Sequence, residues 1–238
     1  MKSLIMTICL CVLLVAAGSA SALPAIQDNG FGTANLPLST VPYRNIDERL
    51  LIIDGLPPGT TIAFDTEMLP LNIISSPPDV SWQVDSFFDV FTELSLDGTG
   101  SLAGYHRDIT IPSGAASVHW GPRTPGNPVQ NISADWNQLQ MQIIGDPDFD
   151  LLRITGGTNF GLPSPGHTTL TQLAGGNWAV DSFFDITYRI DFVGAPGSLL
   201  GGRSGSTTGT IRMAATPEPT TMALLGLGSL VMLRKRKA

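Results

Sequence analysis

Hydrophobic and polar positions alternate with a period of two through two long stretches of the chain. In residues 82–97, Trp82, Val84, Ser86, Phe88, Val90, Thr92, Leu94 and Leu96 share one face, while Asp85, Phe87, Asp89, Phe91, Glu93 and Asp97 lie on the other. Residues 178–192 repeat the pattern, with Trp178, Val180, Phe184, Ile186, Ile190 and Phe192 facing one way. Period two at this length is strand, with the first face turned to a core. Globular strands usually stop at about 10 residues, so each run is expected to contain a bend or bulge. Shorter strands are predicted at 50–53, 61–65, 109–112, 118–120, 139–144, 151–155, 168–172 and 208–213, separated by Gly/Pro turns. No helix is predicted between Leu23 and Thr216.

The two runs are also copies. Trp82-Gln83-Val84-Asp85-Ser86-Phe87-Phe88-Asp89-Val90 returns 96 residues later as Trp178-Ala179-Val180-Asp181-Ser182-Phe183-Phe184-Asp185-Ile186, with seven identities in nine. More loosely, Gly100-Ser101-Leu102-Ala103-Gly104 answers Gly197-Ser198-Leu199-Leu200-Gly201. We read two homologous halves, about 42–120 and 134–215, joined by a turn-rich linker. Many strands, 26 glycines, 18 prolines and no βαβ alternation predict an all-β antiparallel β-sandwich packed as one unit. Residues 23–41 are expected to run along its surface, and 198–208 to form an exposed loop.

The chain closes on Pro217-Glu218-Pro219, an uncharged apolar run at 220–233, and Arg234-Lys235-Arg236-Lys237. Such a run inserts into a bilayer and stops, because each cation costs about 2.5–3.5 kcal/mol at the centre of the hydrocarbon. As a helix it would reach only about 21 Å at about 1.5 Å per residue, short of a core about 30 Å thick, which favours a transient span. In order and position these residues resemble the PEP-CTERM sorting signal. That resemblance implies recognition by an exosortase-type membrane enzyme and cleavage near the triplet. It also implies transient membrane attachment and delivery to the cell surface or extracellular matrix. An ordinary stop-transfer helix is the alternative. At the other end, Lys2, an apolar stretch and Ala20-Ser21-Ala22 read as a signal peptide at 1–22, cut by signal peptidase before Leu23. The exported domain is then 23–215 and the sorting tail 216–238.

Trimming both ends changes the composition. Cys9 and Cys11 fall in the signal, so the exported part can form no disulfide and needs a core that stands alone. From Leu23 to Pro219 the chain keeps eight arginines against all 20 acidic residues, a net charge of −12 that repels nucleic acid. His106, His119 and His167 are scattered, and neither an HExxH nor a nucleophile-elbow GxSxG occurs. The reading is therefore non-enzymatic, with no cofactor required. Asp146, Asp148 and Asp150, in Asp146-Pro147-Asp148-Phe149-Asp150, are candidate calcium ligands because the hard cation prefers several oxygens. The EF-hand glycine and glutamate are missing, and Pro147 favours a simple turn. Phe87 and Phe183, beside repeated aspartates, could form a binding stripe, although a covered outer face is the favoured reading. The expected role is structural or adhesive; the alternative is a carbohydrate-binding or carbohydrate-active module with extracellular polysaccharide as partner.

Overall fold

This computed structural model describes residues 23–39 and 41–216, and within them the period-two stretches become strand. The strands are β1 (Ala25–Ile26), β2 (Tyr43–Asn45), β3 (Leu50–Ile52), β4 (Ile62–Ser75), β5 (Val84–Gly98), β6 (His106–Trp120), β7 (Val129–Ile144), β8 (Phe149–Gly156), β9 (Pro165–Gln172), β10 (Trp178–Gly194) and β11 (Ser204–Ala215). Two short 3-10 turns are the only helical pieces among the described residues, and no helix there is long and apolar enough to cross a membrane. The expected signal peptide, with Ala20 and Ala22, and the membrane segment at 220–233 lie outside the described residues.

Where two stacked sheets were expected, antiparallel hydrogen bonding joins all 11 strands into one. The sheet runs from β4 through β5, β6 and β7 to β8; β8 pairs with β10, and β11 and β2 lead back to β4. It thus closes on itself as a barrel, and closure removes the free edges that open layers present. Two staves are split. β8 and β9 lie end to end between β7 and β10, and β2 and β3 both pair with the same strand, β4. The β2 seam is short, and side chains extend it. The Tyr188 hydroxyl accepts the Leu51 N–H at 3.0 Å, and Thr207 Oγ1 accepts those of Ile53 and Asp54. Tyr188 reaches β3 across Gly209, where a Cβ would lie 2.6 Å from its hydroxyl.

The long strands persist by changing partners along their length. β10 pairs with β9 over Trp178 to Ser182 and with β8 from Tyr188 onward. β4 carries a register shift between Leu71 and Ile74, and of the two expected bends the one in 82–97 is the shift between Val90 and Thr92 in β5, while β10 shifts only between Val193 and Gly194, past its predicted run. The second shift lies opposite Pro112 and Ser113, which lets the predicted strands at 109–112 and 118–120 merge into β6. Pro70 is tolerated inside β4 because its ladder to β2 involves only Glu67 and Met68, leaving that edge free of a required N–H.

Side chains of the predicted inward face fill the barrel in one cluster. Phe184 lies 5.0 Å from Trp136, 5.7 Å from Trp120 and 5.8 Å from Tyr43, measured between ring centroids. Trp136 in turn meets Phe88 at 5.8 Å, so the repeated phenylalanines share one aromatic stack. Trp82 breaks the pattern. It precedes β5 with a φ of 60° and is half-buried, while its counterpart Trp178 is fully buried in β10.

Both mouths of the barrel are plugged. Ala34, Leu36, Leu38 and Val41 are buried across one mouth. The Leu36 carbonyl accepts the Ser86 hydroxyl at 3.1 Å, and the Gly32 carbonyl accepts the Gly126 N–H at 2.8 Å. The segment expected along the surface is therefore a stopper, because an open mouth would leave the core's last layer wet. At the other mouth, Leu102 and Leu200 fold inward over Gly98 and Gly194, the last residues of β5 and β10. A Cβ would come 2.4 Å from the Leu102 carbonyl oxygen at Gly98 and 1.8 Å from that of Leu200 at Gly194. Leu200, and not the exposed Leu199, thus answers Leu102. The expected loop at 198–208 is correspondingly shorter, since β11 begins at Ser204.

Candidate functional site

Both ends of the described chain approach the mouth stoppered by Ala34, Leu36, Leu38 and Val41. The Pro24 carbonyl accepts the Val180 N–H at 2.8 Å, and the Pro42 carbonyl accepts the Thr216 N–H at 3.0 Å. Leu23, the expected mature start, is half exposed there. The β4–β5, β6–β7 and β9–β10 connections turn at the same mouth.

Two of its segments are organised by carboxylates and present an aromatic pair. Asp28 Oδ1 accepts the Gly30 and Gly32 N–H groups, and Oδ2 accepts the Trp178 indole N–H at 2.9 Å. Asn29 Oδ1 accepts the Phe31 N–H. Across the mouth, Asp79 Oδ1 accepts the Ser81 and Gln83 N–H groups, and the Asp79 carbonyl accepts that of Trp82. The Trp178 indole holds the Asp28 carboxyl below its ordinary value, and the Gln83 amide does the same for Asp79. Phe31 and Trp82 meet with centroids 5.7 Å apart, and Phe31 is 67% exposed. A left-handed conformation costs a bulky residue such as Trp82 about 1–2 kcal/mol.

Grooves of about 740 and 680 Å³ flank Trp82. Arg123 lines both; its Nη1 donates to the Ala34 carbonyl at 2.9 Å, its Nε is buried without a partner, and burial pushes its pKa down. Strand alternation placed Trp82 in the core. The contrary signal was the turn-forming run Ser75-Ser76-Pro77-Pro78-Asp79 just before it.

On the barrel wall, Phe87 is 57% exposed opposite the still more exposed Ile74. The favoured covering of that face is absent at Phe87, because among the described residues nothing buries that ring. Phe183 is half-buried, with the Arg212 guanidinium 4.2 Å from its ring centre and bonded through two nitrogens to Asp185. The three histidines stay apart: His106 pairs with Asp97, His119 with Asp85, and His167 lies beside Phe183.

At the opposite mouth the acidic segment forms the β7–β8 turn. Asp146 Oδ1 accepts the Asp148 N–H at 2.9 Å, and Pro147 fixes the corner. Arg107 donates to Asp146 at 2.5 and 2.6 Å and to Asp148 at 2.7 Å; the Tyr105 hydroxyl adds a bond to Asp148. Burial pushes the Asp146 carboxyl up, but bonds from Arg107 and the Asp148 amide outweigh it and leave the pKa lowered. Asp150 is exposed on β8, away from that clamp. A guanidinium thus stands where a calcium ion would draw charge from Asp146 and Asp148, and no group of three potential metal ligands occurs among the described residues.

Beyond Thr216 the sequence itself decides. Residues 215–237 match the PEP-CTERM protein-sorting motif. The match contains Pro217, Glu218, Pro219, Arg234, Lys235, Arg236 and Lys237, all outside the described residues. The PEP-CTERM motif implies export, transient membrane association and processing by an exosortase, a membrane enzyme. No curated protein and no solved structure gives a match to the chain.

Proposed function

We propose that this chain is a non-enzymatic protein of the cell surface or extracellular matrix, with a structural or adhesive role. In this reading signal peptidase cuts before Leu23, and an exosortase cuts near Pro217-Glu218-Pro219. The observation that carries it is the PEP-CTERM match at 215–237, attached to a barrel plugged at both mouths. A closed, cysteine-free sheet suits an oxidising exterior, since its stability rests on core and ladder instead of disulfides. The halves 42–120 and 134–215 are duplicates within one unit; support comes from the nine-residue repeat and from the Gly98/Leu102 and Gly194/Leu200 stoppers. Carbohydrate binding at the Phe31–Trp82 grooves is the rival function, favoured by neighbouring Asn29, Asn35 and Ser39.

Mass spectrometry of the native surface protein tests the processing. The expected N-terminus is Leu23 and the expected C-terminus lies at or near the triplet. A surface-fraction peptide carrying Arg234 to Lys237 would refute the cleavage.

A further inference from the structure

We propose that the stoppered mouth bearing Phe31, Val80 and Trp82 rests on the zwitterionic membrane surface while the sorting tail is still attached. The proposal builds on the sorting reading above. Its first support is reach. Thr216 is bonded to Pro42 at the end of β11 that runs toward this mouth, in line with Met68 of β4 and seven residues short of that strand's end at Ser75, and only Pro217, Glu218 and Pro219 separate it from the apolar run beginning at Thr220. Even fully extended, that connection spans at most about 14 Å. With the run in the bilayer, this mouth is the end of the barrel turned toward it. The opposite mouth also exposes Ile144 and Leu199, but it stands a full strand length away.

The second support is what the mouth presents. Val80 is fully exposed at the tip of the β4–β5 connection, two residues from Trp82, and Phe31 packs on Trp82 from the stopper. The exposed pair Ile74 and Phe87 lies on the wall directly behind that connection. Phe87 is three residues into β5, about 10 Å along the strand, and interfacial elements sink about 5–10 Å. The loop tips therefore reach the acyl boundary while Ile74 and Phe87 mark its upper limit. Asx bonds from Asp28, Asn29 and Asp79 hold these loops out, and the left-handed Trp82 shows that its position is imposed. Asp28, Asp79, Asp85 and Asp181 surround the same mouth, so an anionic surface would be repelled. The consequence is orientation: docking turns this mouth, and with it the end of β11 that leads into the sorting tail, toward a membrane-embedded enzyme.

The test uses the full chain in phosphatidylcholine vesicles with acyl chains brominated near the headgroup. Trp120, Trp136 and Trp178 are buried, so Trp82 is the tryptophan placed to meet lipid. The expected result is a loss of emission that disappears in Trp82→Phe and is reduced in Phe31→Ser/Val80→Asp, with melting temperature retained. Replacing the lipid with phosphatidylglycerol should weaken the quenching. Vesicle flotation separates the two layers of the reading. Failure to float overturns membrane attachment through the tail, whereas flotation without Trp82-dependent quenching overturns the docking alone. A Trp82 emission shift with soluble polysaccharide but none with vesicles would also overturn it and assign the grooves to glycan.

Discussion

Replacing Phe184 with alanine should destabilise the whole barrel in a single transition. The ring is 1% exposed and meets Trp120, Trp136 and Tyr43. Phe→Ala in a core costs about 3–5 kcal/mol, and lost aromatic pairs, worth about 0.5–1.5 kcal/mol each, place this site high in that range. A loss of about 4–5 kcal/mol corresponds to a fall of roughly 8–20 °C in Tm for a domain of this size. Because total stability is about 5–15 kcal/mol, Phe184→Leu is the companion variant, with an expected loss of about 1–2 kcal/mol. Phe88→Ala should lower the same transition, since Phe88 joins the stack through Trp136. Phe87→Ala, one position away but exposed, should stay within about 0.5 kcal/mol of wild type. Near-UV circular dichroism during heating reports the stack, and far-UV signal the strands. Separate transitions for the two signals, or a Phe184→Ala protein as stable as Phe87→Ala, would refute a single aromatic core.

Gly194→Ala should cost about 1–3 kcal/mol by forcing the Leu200 stopper out of its seat; an unchanged urea midpoint would mean that Leu200 is not held there. The Asp146 carboxyl has a lowered folded pKa, so its stabilisation is present above about pH 4, the unfolded range, and is lost as pH falls through the folded value. Arg107→Met should reduce that acid-limb dependence in pH-resolved melting curves; an unaltered limb would place the acid sensitivity elsewhere. At equal ionic strength, calcium, magnesium and sodium should give coincident melting temperatures. A calcium-only rise that disappears in Asp148→Ala would make the acidic turn an ion site.

The sequence alone determined the two long strands β5 and β10 and the face that each buries, but it marked only 61–65 of β4 and 139–144 of β7 and missed β1 and β2. Val84, Phe88, Leu94 and Leu96 turn inward as their alternation requires, because period two is a property of the backbone and needs no tertiary contact. The sorting tail was equally legible, since it is read as a linear address. Alternation failed at Trp82, where Asp79 captures the local amides and diverts the chain before the strand begins. It placed Phe87 on the outer face, but the covering favoured for that face does not occur over Phe87, because covering depends on whether another segment arrives. Only the tertiary structure decided that the layers join into one closed sheet, that the Pro/Gly-rich segment stoppers a mouth, and that Arg107 meets Asp146 and Asp148. Each of these depends on residues distant in the chain: closure rests on β8 meeting β10 and on a three-residue β2, and a pattern that marks a strand's face carries no record of its edge partner.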